Sequence, residues 1–245
     1  MFNECIQWLI TPVSGSLSHQ IDPNSYWHGR LMVIAWCFLV PVAVIVARFY
    51  KVTPYQDWPT ELDNKFWWHM HRYSNIFAVV ISFIGIYLVY ASNRYVGELR
   101  GVHAILGWLV VLLCFFQLVL TRLRGTKGGP TAPRLDEHGA VIDLFGDHYN
   151  MTLKRKIFEY LHKSLGHILW MLALITTFFG LLVADAPRWM FVSIAIWWTS
   201  ILLLSIHLQM KGRCLDTYQA IWGADKNLPG YSSSPIGWGV NRRGD

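Results

Sequence analysis

Five apolar runs, each about as long as a bilayer is thick, recur at 28–50, 66–91, 102–123, 157–183 and 188–210. A chain in hydrocarbon must satisfy its backbone hydrogen bonds internally, so runs of this length predict transmembrane helices. Composition agrees, since 53% of the 245 residues are AVILMFWYC and only 15% are charged, against roughly one quarter in soluble domains. The remaining loops and ends are too short for a separate flavin or nicotinamide domain of about 100 residues. The expected fold is therefore all-α and integral to the membrane, a four-helix bundle plus a fifth transmembrane helix. Pro41 lies inside the first span and is expected to bend it.

Outside the spans the chain divides into an N-terminal segment, 1–27, and a C-terminal tail, 211–245. The start, MFNECIQWLITPVSG, has no basic region ahead of its short apolar stretch, so it reads as an interfacial helix over Asn3–Ile10 and not as a cleaved signal. Both ends are rich in Gly, Ser, Pro and Asn, the composition of loosely held segments that a partner chain or packing on the chain itself could order. Cys5, Cys37, Cys114 and Cys214 are scattered without a CxxC or CxxCH pattern and read as packing residues.

An odd number of spans places the two ends on opposite faces, and charge then orients the chain. Arg30, Arg94, Arg100 and Arg188 fall on the N-terminal face, and the other 17 of the 21 basic residues fall on the opposite one. The positive-inside rule puts the N-terminus outside and the C-terminus in the cytoplasm. Topology and contact with anionic lipid account for the net charge of +6, so no nucleic-acid partner is called for.

The histidines carry the chemistry. His28 and His103 begin the first and third spans, and His71 and His162 lie one turn into the second and fourth. Because successive spans run in opposite directions, His28 and His103 share one depth, and His71 and His162 share the other. Two histidines at matched depth on facing helices can take both axial positions of one haem. His103 is followed by Gly107 and His162 by Gly166, each four residues on and on the same helical face, where a missing side chain admits a flat macrocycle. Arg30, Arg72, Arg100 and Lys163 neighbour these positions and are candidates for haem propionates. The two irons would stand roughly 20 Å apart along the membrane normal.

A single membrane histidine is equally well explained as an interhelical hydrogen-bond donor worth about 1–2 kcal/mol. Four matched in depth, two with glycine beyond, are better explained as ligands. His69 is expected at the headgroup level with Trp67 and Trp68, His167 reads as structural, and His207 as snorkelling. His138 and His148 sit in a loop with Asp136, Glu137, Asp143 and Asp147 that fits no metal pattern and reads as solvated. A competing reading is a haem-free transporter whose histidines relay protons. Clustered histidine boxes of a di-iron hydroxylase are absent.

At these residues the sequence resembles the cytochrome b561 family, particularly the branch that elsewhere is fused to DOMON domains. The segments HGRLMVIAWCFLVPVAVIVARFYK (28–51), WWHMHRYSN (67–75), GVHAILGW (101–108) and FEYLHKSLGH (158–167) follow the family's order of ligand helices. The resemblance implies two non-covalent haem b groups, one between His28 and His103 and one between His71 and His162. Two departures stand out: there is no DOMON domain, and there are five strong spans where members often have six. With both axial positions filled, outer-sphere transfer of single electrons is expected. The donor would be a quinol or a soluble redox partner, and the acceptor would lie on the opposite face. A cytochrome b subunit of a larger respiratory or dehydrogenase complex, handing electrons to quinone, is the second redox reading. The expected location is a bacterial inner membrane.

Overall fold

A computed structural model describes residues 2–16, 21–91 and 98–244. Arg94, one of the basic residues used to orient the chain, lies outside the described residues. The helices are α1 (Phe2–Ile10), α2 (Pro23–Phe49), α3 (Phe66–Ala91), α4 (Glu98–Arg122), α5 (Leu153–Val183), α6 (Arg188–Met210) and α7 (Thr217–Trp222). Two short strands, β1 (Arg134–Leu135) and β2 (Val141–Asp143), pair antiparallel. Among the described residues, five helices, α2 to α6, are long and apolar enough to cross a membrane. The all-α integral membrane class expected from the sequence stands.

Helix ends follow local chemistry that hydropathy alone misses. α2 begins at Pro23, five residues ahead of the expected boundary, because Asp22 accepts from the Ser25 backbone N–H at 3.2 Å and Pro23 occupies the first turn. α5 begins at Leu153 because Thr152 precedes it, with its hydroxyl 3.4 Å from the Arg155 backbone N–H. Lys154, Arg155 and Lys156 in that first turn had hidden it from a reading based on apolar residues.

Pro41 acts on the turn before it. It has no N–H to give the Cys37 carbonyl four residues back, and Val33–Leu39 winds as a π-helix. The Trp197 indole on α6 donates to that same Cys37 carbonyl at 2.7 Å, with the Phe38 ring 4.9 Å from the Trp197 ring. Trp197→Phe keeps most of the packing and removes the donor. It should cost about 1–2 kcal/mol, read as a lowered midpoint of thermal unfolding in detergent.

The chain divides into two compact units built from discontinuous segments. The first comprises Met1–Val44, His71–Leu112 and Leu169–His207; the second comprises Ile45–Met70, Leu113–Ile168 and Leu208–Asp245.

In the first unit α1 buries none of its residues and leaves Phe2, Ile6, Trp8 and Ile10 exposed, as an interfacial helix requires. Arg188 holds its end, donating to the Trp8 carbonyl at 3.2 Å with its guanidinium over the Trp8 ring. Ser14 adds a hydroxyl bond to Asp185 at 2.6 Å.

In the second unit the C-terminal residues are packed, not loose. All six residues of α7 are buried, capped by Asp216. Met151, Tyr218, Ile221, Trp222 and Tyr231 form a core against which Trp67 and Tyr149 pack. Arg242 binds Asp216 at 2.8 Å and donates to the carbonyls of Tyr231 at 2.5 Å and Ser233 at 2.6 Å. The Gly and Pro content that suggests looseness serves tight approach: a Cβ on Gly230 would fall 2.5 Å from the Tyr218 ring.

Candidate functional site

The first unit brings His28 and His103 together. His28, on α2, has Nδ1 2.9 Å from the Gly85 carbonyl on α3, and His103, on α4, has Nδ1 3.0 Å from the Thr176 carbonyl on α5. A carbonyl oxygen only accepts, so Nδ1 is the protonated nitrogen in both rings. Each Nε2 is then left with a bare lone pair, the form that binds a metal. The two ring centroids are 6.0 Å apart with planes at 90°. One iron bonded to both Nε2 atoms at about 2 Å would hold the centroids about 6 Å apart. The pair therefore fits a six-coordinate haem iron in spacing and in tautomer.

Glycines permit this arrangement, though not all are the ones expected. A Cβ on Gly180 would fall 2.9 Å from His103 Cε1, and one on Gly85 would fall 3.0 Å from the end of Met32 and 3.6 Å from His28 Nδ1. Both glycines let an imidazole reach the backbone of the neighbouring helix. Sequence reasoning missed them because they lie on the partner helix; a glycine deep in an apolar span was the signal available. Gly107 has no protein atom within 4 Å of a Cβ built on it, so the space before it is left open, as a macrocycle would need. Gly166 differs from expectation: the Gln117 amide nitrogen lies 3.5 Å from that position and donates to the His162 carbonyl at 3.0 Å. A side chain of the protein fills that gap.

The other two candidate ligands fall in different units, His71 in the first and His162 in the second. His71 Nδ1 lies 3.4 Å from the Ala43 carbonyl, a longer version of the same contact, and Asn75 donates to the His71 carbonyl at 2.6 Å. His162 stacks on Phe158 with 5.4 Å between centroids. His69 is exposed beside Trp68, and His167 and His207 are exposed as well. His71 is half-buried where His69 is exposed.

Two of the four basic residues are directed elsewhere. Arg30 lies over the Tyr26 ring at 3.8 Å and donates to its hydroxyl, on the exposed side of α2. Lys163 donates to Glu159 at 2.7 Å and to the Ile236 carbonyl at 2.8 Å. Arg72 and Arg100 are exposed.

His148 also departs from expectation. His138 is exposed, but His148 is only 3% exposed, between the Tyr218 and Trp222 rings at 5.9 and 5.8 Å. Burial and then the Arg155 charge push its pKa down to about 3, with Arg124 and Lys163 acting the same way and Glu159, 3.8 Å away, opposing them. In the unfolded chain the ring titrates near its ordinary value of 6.5. Between these values the unfolded state binds the extra proton, so stability is lost as pH falls from about 6.5 toward 3. His148→Phe should flatten that limb of a plot of unfolding midpoint against pH.

Fold and site together define a polytopic helical membrane protein with paired intramembrane histidines. Residues 27–123 match the model of the family described as eukaryotic cytochrome b561. The matched segment, about two fifths of the chain, takes in His28, His71 and His103. A Xenopus laevis protein provisionally named ferric-chelate reductase 1 is 34% identical over 40% of this chain and 16% of its own length. Ferric-chelate reductase 1 of Bos taurus is 26% identical over 63% of this chain and 22% of its own. A cytochrome b561, DM13 and DOMON domain-containing protein of Arabidopsis thaliana is 24% identical over 72% and 16%. The chain thus spans about a fifth of the length of these relatives. No solved structure matches it at a comparable level. Because the matching family and relatives are eukaryotic, the expected bacterial inner membrane has no support.

Proposed function

We propose that the chain carries single electrons across the membrane through two haem b groups, one held by His28 and His103 and the other by His71 and His162. The observation that carries this reading is the His28–His103 pair, 6.0 Å between centroids with both Nδ1 atoms on backbone carbonyls. The second pair rests on the order of the spans and on the family pattern. When bound, the haem supplies an iron centre that gains and loses one electron reversibly. The protein's part would be to offer two imidazoles to each haem, with the tautomers of His28 and His103 set by their bonds to the Gly85 and Thr176 carbonyls; iron so held would exchange electrons without binding oxygen. Gly107 keeps space for the ring, and Arg72 and Arg100 are the remaining candidates for propionate contacts.

The N-terminus is assigned to the outer face and the C-terminus to the cytoplasm by the distribution of basic residues. A quinol or a soluble reductant is the donor class. The names of the animal relatives make a ferric chelate the first acceptor to try on the opposite face. The test is haem b per chain by pyridine haemochrome on the purified protein. Two per chain, falling to one in His162→Ala, is the expected result. One per chain in the parent would remove the two-site pathway, and none in a folded sample would overturn the electron-transfer reading.

A further inference from the structure

We propose that a groove between the start of α5 and the segment 233–236 binds one anionic glycerophospholipid, with its phosphate at Lys156 and an acyl chain along Ile157 and Leu161. The groove has a volume of about 510 Å³ and is walled by those three residues with Tyr160, Ser233 and Ile236. It lies wholly within the second unit.

Charge selects the headgroup. Of the cations on this stretch of α5, Arg155 and Lys163 are spent on Glu159 at 2.9 and 2.7 Å. The Lys156 ammonium has no hydrogen bond or ion pair among the described residues, and neither has the Ser233 hydroxyl across the groove. A cation with a hydroxyl facing it is a donor set for a phosphate monoanion. Position selects a lipid over a soluble anion. Lys156 is in the first turn of a membrane-length helix, and Ile157 and Tyr160 beside it stay 50% and 64% exposed. Tyrosine and lysine at such a boundary meet headgroups, and the apolar wall continues in the direction an acyl chain takes. The lipid would bridge α5 to the C-terminal segment that Lys163 already ties through the Ile236 carbonyl. Its occupancy should raise the stability of that segment.

The experiment uses the full chain, purified in detergent and stripped of lipid, with its unfolding midpoint followed as dioctanoyl phosphatidylserine is added. Phosphatidylserine is expected to raise the midpoint. Dioctanoyl phosphatidylcholine and inorganic phosphate should do so only at concentrations at least about fivefold higher, the factor expected for one interfacial lysine charge. Lys156→Gln should weaken phosphatidylserine by a similar factor, and Lys154→Gln, exposed on the same turn and outside the groove, should leave it unchanged. Ile157→Trp, which fills the groove and keeps the charge, gives a second reading should Lys156→Gln fail to fold. Equal response to both lipids, an equal response to phosphate, equal effects of the two lysine variants, or normal binding by Ile157→Trp would each overturn the proposal. The readout needs no haem, so it stands apart from the electron-transfer reading.

Discussion

His103→Ala is expected to lower bound haem b from two per chain to one, leaving a folded protein with a single spectroscopic centre. The variant removes one of two imidazoles whose rings are 6.0 Å apart, and His28 alone would supply only one of the two ligands proposed for that haem. Gly180→Val separates the presence of the ligand from its placement. A Cβ there would stand 2.9 Å from His103 Cε1, and it projects from helix backbone that has little freedom to retreat. The histidine must swing off the Thr176 carbonyl, losing the 3.0 Å bond that sets its tautomer. Haem should therefore fall in Gly180→Val as it does in His103→Ala, although both histidines remain. Two haems retained in His103→Ala would remove His28 and His103 as a ligand pair. Loss in His103→Ala with full retention in Gly180→Val would keep the ligand and discard the carbonyl bond as its positioning device.

Arg242→Ala should produce the largest loss of stability outside the membrane helices. Its guanidinium and the Asp216 carboxylate are 6% and 4% exposed and 2.8 Å apart, and the same guanidinium serves the carbonyls of Tyr231 and Ser233. Removing one member of a buried pair leaves the other desolvated and unpaired, at a cost of about 3–5 kcal/mol. Asp216 also caps α7, so the damage should extend to the core around Tyr218 and Trp222. Limited proteolysis should cut the C-terminal region of Arg242→Ala rapidly, with a lowered unfolding midpoint. Arg243→Ala is the control. The residue's hydrogen bonds to Gln219 come from its backbone, at 2.8 Å in each direction, and alanine keeps both. If the two variants behave alike, the Arg242–Asp216 pair is not what holds this region.

The five long helices and their approximate limits were legible because a spanning helix declares itself over some twenty consecutive residues and needs no information from elsewhere in the chain. The four candidate histidines were legible for a related reason: depth in the membrane follows from position along a span. The choice of His71 over His69 also followed from one helix, since residues two apart face different sides. Pro41 signalled a disturbance in α2, but its form, a π-helical turn with the Cys37 carbonyl given to Trp197, depended on a residue 160 positions away.

What the sequence by itself determined is the membrane class, the spans and the candidate ligands, all set by periodicity and composition within single helices. What only the tertiary structure decided is which partner each of those groups takes. Gly85 and Gly180 matter because the helix facing each histidine must come close, whereas Gly166 has its gap filled by Gln117. Lys163 and Arg30 turn to Glu159 and Tyr26, and His148 leaves an apparently solvated loop for an aromatic core built from the C-terminal residues. Contacts of this kind join residues that only packing brings together, and a short polar stretch has no period from which its partner could be read.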